Sequence, residues 1–346
     1  MRRSLFVNFI GIAFAFLICG VVMQVQGYPA IESYAALFNQ SVGSSFAFLT
    51  VLKNSIPLVL TGLSASVAFS SGPVNLGQPG QFLIGALFAT VGGLYVELPA
   101  FLMIPFLLAL AMLGGAVWSF VAALMKQLFE MDEYITTLML NMIADFFTYW
   151  AISGPFFETG ANFPQTPRIA GSGWMPTVGK FSTGVIVMLL AFMVVWFLYY
   201  RTTAGYEWRM TGQNPTFARL GGVPTKKNYL TVMLLTGALA GLAGGLVVMT
   251  GPHRFIKGLG ANYAWDGIMV SMVANNHLVA TLAYGLFFSI LETGSLGMEL
   301  FTKVPNEMTT VLQAIIVLVV MAGRGSIEVF IRKGMTRRKL KARAEG

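Results

Sequence analysis

Charge is what this chain has least of. Only 10% of its 346 residues are Asp, Glu, Lys or Arg, whereas 56% are hydrophobic and mean hydropathy is +0.71. That scarcity excludes an ordinary soluble domain of this length and leaves an integral membrane protein. Cysteine is nearly missing as well: Cys19 stands alone inside the first apolar run, which excludes a disulfide framework or a thiolate cluster. His253 and His277 are too isolated for metal-ligand spacing, so no metal site is expected. There is no Gly-x-x-x-x-Gly-Lys-Ser/Thr phosphate loop, no His-Glu-x-x-His and no Gly-x-Ser-x-Gly elbow. No catalytic residue is therefore expected, and any hydrolysis falls to a partner.

Basic residues outnumber acidic ones, 22 to 14, but eight of them fall between Arg324 and Arg343, after the last apolar run. No aromatic-interleaved basic motif accompanies them, so they read as a topology signal and not as a nucleic-acid site. Apolar runs of spanning or near-spanning length occupy 5–25, 47–70, 82–97, 100–125, 134–153, 181–200, 229–250, 263–275, 278–296 and 306–322. Arg2 and Arg3 ahead of Leu5 to Met23 imitate a secretory signal, but Gln24 to Ala30 offers no clear small-x-small cleavage site, so a retained first helix is expected. The fold class is then all-α: a polytopic transmembrane helical bundle of about ten spans, some discontinuous, in one transmembrane domain over 1–322 followed by a basic tail at 323–346. Sixteen of the 22 basic residues fall on one side of that topology, which puts both termini in the cytoplasm. Asn54 to Gly62 echoes Asn228 to Gly237, and the two runs cross in opposite senses, as an inverted repeat requires; chance likeness between apolar stretches is the alternative.

One hydrophobic run breaks off at Ser70 to Gln81, Ser-Ser-Gly-Pro-Val-Asn-Leu-Gly-Gln-Pro-Gly-Gln, and resumes at once. Unpaired backbone groups in hydrocarbon cost several kcal/mol each, so such a break belongs in protein or beside a cavity. Asn75, Gln78 and Gln81, with the backbone freed around Gly77 and Gly80, form a neutral donor and acceptor set suited to a polar uncharged solute; a kink satisfied by neighbouring helices is the bland alternative. A second interruption, Gly251 to Asp266, ends in Trp265-Asp266-Gly267, where Asp266 either contacts solute or stabilises the helix it opens. Asp145 and Glu292 are acids within apolar runs and would be the ion sites of an ion-coupled secondary transporter. The small residues from Gly237 to Gly245, and Gly62 to Ser66, read as close helix packing. In 201–227, expected on the cytoplasmic face, Asn214 can cap a short helix, Pro215 suits its first turn, and Gly221-Gly222 can end it.

Taken together, Pro57 to Gly62, Val74 to Gln81, Glu133 to Ala144, Gly212-Gln213-Asn214-Pro215 through Ala218 and Gly221, and Trp265 to Ile268 resemble the permease subunits of bacterial ABC importers for simple sugars, nucleosides and branched-chain amino acids. The Asn-x-Gly-x-x-Gly-Gln form of the break is most similar to the nucleoside-type permeases, with Pro79 and Val74 as departures. The resemblance implies a nucleoside as solute, with a sugar, vitamin or branched-chain amino acid as alternatives, and adds Asn141 and Gly267 to the path. It also implies that Gly205 to Val223 is a coupling helix seated on an ATPase, with Gly205, Arg209, Gly212, Asn214, Pro215, Ala218, Arg219 and Gly221 in that contact; Trp208, Met210, Phe217 and Leu220 would fill its pocket. The implied partners are an ABC ATPase subunit carrying ATP and Mg, a second permease, identical or paralogous, an extracytoplasmic binding protein and the lipid of a bacterial cytoplasmic membrane. No cofactor is expected on this chain.

Overall fold

A computed structural model describes residues 2–260 and 262–323; the basic tail from Arg324 on lies outside the described residues. Thirteen helices make up the described chain: α1 (Arg2–Val25), α2 (Ala30–Val42), α3 (Ser45–Ser71), α4 (Gln78–Tyr95), α5 (Ala100–Phe129), α6 (Glu133–Ser153), α7 (Gly184–Arg201), α8 (Thr203–Gln213), α9 (Pro215–Leu220), α10 (Thr225–Thr250), α11 (Tyr263–Val273), α12 (Leu278–Thr302) and α13 (Glu307–Gly323). Among the described residues, six of them, α3, α5, α6, α7, α10 and α12, are long and apolar enough to cross a membrane. Each of the ten apolar runs of the sequence is helical over most of its length. Two features depart from the expected pattern: helix α2, and a hairpin of two-residue strands, β1 (Thr177–Val178) and β2 (Phe181–Ser182), paired antiparallel.

The chain divides into two compact units, 45–289 and the segments flanking it. In the flanking unit Tyr34 of α2 donates its hydroxyl hydrogen to the Phe16 carbonyl of α1 at 2.7 Å, and Gly11 of α1 faces Val320 of α13. Helix α2 forms no apolar run in the sequence because Glu32, Ser33, Asn39 and Gln40 interrupt its apolar residues.

In the unit 45–289, α10 is the central element, packed on α3, α4 and α5. Gly237, Gly241 and Gly245 recur every four residues along one face of α10 and meet Ala111, Gly115 and Ser119, spaced alike on α5. A Cβ on Gly241 would overlap the Ala111 carbonyl and approach Gly115, so the helices touch backbone to backbone. Lipid supplies no hydrophobic drive between helices, and close van der Waals approach of this kind replaces it. The small residues therefore pack, as their spacing implied.

The two long irregular segments, 154–183 and 251–262, hold each other. Thr166 N–H donates to Phe255 O at 2.9 Å, Ile169 N–H to His253 O at 2.8 Å, and Lys257 N–H to Pro164 O at 3.1 Å. Arg254 pairs with Glu158, and Trp174 stacks flat on His253 with ring centres 4.1 Å apart. Each segment thus satisfies backbone groups that the other leaves exposed.

Candidate translocation and coupling site

Helix α3 ends at Gly72, whose φ of 109° a residue with a side chain would rarely adopt, and α4 begins at Gln78 with Pro79 in its first turn. Asn75, between them, is wholly buried and uses every group of its amide. Its Oδ1 accepts from Gly77 N–H at 2.9 Å and from Gln81 Nε2 at 2.9 Å; its Nδ2 donates to Gln81 Oε1 and to Thr236 Oγ1 of α10, both at 3.1 Å. From α6, Asn141 Oδ1 accepts the Gly80 N–H and its Nδ2 donates to Leu76 O, each at 2.9 Å. Ser64 of α3 donates to the Thr236 carbonyl at 2.8 Å, closing the cluster against α10.

Asn75, Gly77, Gln78, Gly80, Gln81 and Asn141 are thus brought into one cluster, but the amides of Asn75, Gln81 and Asn141 hold the break itself. Gln78 differs. It is wholly buried, and neither Oε1 nor Nε2 has a hydrogen-bond partner among the described residues. Leaving such a group unmade costs about 1–3 kcal/mol.

Asp266 and Gly267 lie elsewhere, in the first turns of α11, where Gly267 packs against Thr61 and Gly62 of α3 and Thr61 Oγ1 donates to Tyr263 O at 3.1 Å. Gly62 is two residues before Ser64, which closes the Asn75 cluster on Thr236, so the two groups meet α3 at levels only roughly 3 Å apart at the helical rise. Asp266 is 8% exposed. Asp145 is exposed on α6 beside Tyr149 and Lys257, and Glu292 is half-buried on α12.

The segment 201–227 folds into α8 and α9. Asn214 caps α9 by accepting the Phe217 N–H at 2.9 Å, Pro215 opens it, and Gly221 and Gly222 close it, as their order implied. Gly205 is buried against the Leu198 and Tyr199 carbonyls of α7, Gly212 lies on the Ser70 carbonyl at the end of α3, and Ala218 is buried. Arg209 bends back onto its own fold, donating to Tyr199 O and standing 5.4 Å and 5.5 Å from the ring centres of Tyr199 and Tyr200. Trp208 is also turned inward, 7% exposed, with its indole N–H on Thr231 Oγ1 at 3.2 Å; it is therefore a support of the hairpin and not a free anchor. Pro215, Phe217, Arg219 and Leu220 are exposed, Leu220 at 84%.

Between this hairpin and the break lies a cavity of about 600 Å³ lined by Ser71, Gly72, Pro73, Glu133, Arg219 and Tyr229, among others. Glu133 and Thr236, which fasten the break, carried no assigned role in the sequence. A Thr on the small-residue face of α10 and an acid at the first position of α6 were their only signals.

Six helices able to cross a membrane among the described residues, with a break between α3 and α4 and a short helical hairpin against it, make this a multi-pass membrane protein. The family model described as branched-chain amino acid transport system, permease component, matches residues 47–321, and the chain belongs to that family. It is similar to the guanosine ABC transporter permease protein NupP of Bacillus subtilis, 31% identical over 306 residues, 87% of this chain and 88% of that one. The nucleoside ABC transporter permease protein NupB of Lactococcus lactis is 30% identical over 344 residues, 96% and 94% of the two chains. The glucose ABC transporter permease protein TsgB13 of Haloferax volcanii is 28% identical over 317 residues, 88% and 83%. This chain is a non-catalytic permease component of an ABC transport system.

Proposed function

We propose that the chain imports a nucleoside as one permease of an ABC importer in a bacterial cytoplasmic membrane. The observation that carries the solute is the near-complete coverage by relatives named for guanosine and for nucleosides; relatives named for glucose and riboflavin keep a sugar or vitamin as the second reading. Its partners are an ATPase that binds ATP and Mg, a second permease and an external binding protein. The exposed Phe217, Arg219 and Leu220 are the ATPase contact, with the buried Gly205 and Ala218 and the partly buried Arg209 and Gly212 holding their geometry and Asn214, Pro215 and Gly221 setting the ends of α9. Gln78, the backbone at Gly77 and Gly80, and Asp266 with Gly267 border the path; Asn75, Gln81 and Asn141 shape it.

About ten spans with both termini inside form a single permease domain. An inverted repeat relates α3–α4 to α10–α11, and the exchange of partners supports it: each long helix packs on the half-helix that follows the other, Gly85 of α4 against Gly241 and Gly267 of α11 against Gly62. ATP binding and hydrolysis on the partner shift the balance between outward and inward access.

The test is uptake into proteoliposomes holding the permeases and ATPase, supplied with the binding protein. Labelled guanosine enters only with ATP and Mg, and unlabelled glucose or riboflavin competes weakly. Uptake driven by a proton or sodium gradient without ATPase, through Asp145 or Glu292, overturns the importer; competition by glucose alone overturns the nucleoside.

A further inference from the structure

The break is not merely packed beside the α8–α9 hairpin; one side chain joins the elements on either side of it. Glu133 opens α6 behind its cap Asp132, whose carboxylate accepts the Tyr134 and Ile135 N–H groups and so fixes the first turn. From there Glu133 Oε1 accepts the Val74 N–H of the break at 3.2 Å, and Oε2 accepts the Tyr229 hydroxyl hydrogen of α10 at 2.8 Å. Val74 immediately precedes the saturated Asn75, and Tyr229 lies near the start of α10, which follows α9 after the Gly221–Pro224 turn. On the other side, α8 touches the break directly: Gly72 stands over Gly212, and Gly212 over the Ser70 carbonyl. A displacement of the hairpin therefore meets the break by two routes, backbone contact through Gly212 and the carboxylate bridge through the start of α10.

We propose that Glu133 is a positioning residue of the transport cycle, coupling movement of α8–α9 to segment 72–77 by holding Val74 and Tyr229 to one carboxylate. The proposal rests on the reading of α8–α9 as the ATPase contact. It requires that an acceptor, not a charge as such, be kept at position 133: Gln can still accept from Val74 and donate to the Tyr229 oxygen, and Ala can do neither.

The experiment places a reporter in the cavity next to the break, Ser71→Cys in a Cys19→Ser background, within the assembled transporter. Maleimide labelling is followed with and without ATP, so no solute need be known. Labelling of the reporter protein changes on addition of ATP by about tenfold, the scale on which coupling mutations act. Glu133→Ala cuts that change to less than about threefold, the Gly212 contact carrying the remainder, while the ATPase still co-purifies and hydrolyses ATP; Glu133→Gln restores it to within about twofold; Tyr229→Phe, which deletes one oxygen and little else, lowers it partway. A nucleotide response undiminished by Glu133→Ala, or a Glu133→Gln protein as unresponsive as the Ala one, overturns the proposal, as does a reporter protein that never responds to ATP. If Glu133→Ala does not assemble, Tyr229→Phe decides alone, and an undiminished response there overturns it. Retention of the ATPase by an Arg219→Glu protein counts against the hairpin contact instead, so the two failures are distinguishable.

Discussion

Asn75 uses every donor and acceptor its amide has, whereas Gln78, three residues on, uses none among the described residues. The two buried amides should therefore answer substitution in opposite ways. Asn75→Ala strands Gln81 and Thr236 and lowers stability by about 3 kcal/mol, readable as a lower Tm in detergent. Gln78→Met removes an unmade pair of bonds at little change of shape, so Tm holds or rises while solute uptake falls; unchanged uptake would take Gln78 out of the path. His253 gives a residue-scale prediction in pH. Burial against Trp174, helped by the charges of Arg168 and Lys53, holds its imidazole below the usual value of 6.5. The folded state then binds fewer protons than the unfolded one, so the docking of 251–262 on 154–183 is fully stabilised above 6.5 and weakens as pH falls through the lowered value. Trp174 fluorescence should follow that loss, and His253→Phe should flatten it.

At the scale of elements, the contact of α10 with α5 is the one most exposed to added volume. Gly241→Val pushes two methyls into the Ala111 and Gly115 backbone and should cost more than the 1–3 kcal/mol usual for overpacking, roughly enough to block assembly. Gly171→Ala, where a Cβ meets nothing within 4 Å, is its neutral counterpart in the same thermal assay. The α8–α9 hairpin divides by exposure: Arg209 and Trp208 are bound into the fold, and Phe217 and Leu220 are bare. Phe217→Ala should then weaken ATPase binding by more than about 1 kcal/mol with Tm unchanged, whereas Trp208→Ala should lower Tm first. Equal Tm losses for both would show that the hairpin is one packed unit.

At the scale of the whole molecule, the decisive question is which side each loop occupies. In a Cys19→Ser background, Leu220→Cys should react with an impermeant maleimide from the cytoplasmic side only, and Val178→Cys from the outer side only. Both positions are exposed, at 84% and 73%. Labelling of both from one side contradicts the ten-span course with inward termini.

Much of this architecture is written locally. Apolar runs become helices wherever they occur, because a backbone in hydrocarbon must bond within its own segment. Asn214-Pro215 and Gly221-Gly222 mark the ends of α9 through cap chemistry that acts over a few residues, and the four-residue period of glycine on α10 already implies a close neighbour. What local pattern could not express is pairing between distant irregular segments: Thr166 with Phe255, Ile169 with His253, Glu133 with Val74 and Tyr229. Nor could it separate Asn75 from Gln78, two amides of one motif, since the difference lies in whether Thr236 and Gln81 stand within reach. Composition and period settled the solvent and the helices, because those depend on each segment's own surface; which polar group is satisfied and which is left over was settled by the fold, because a hydrogen bond needs its partner delivered by another part of the chain.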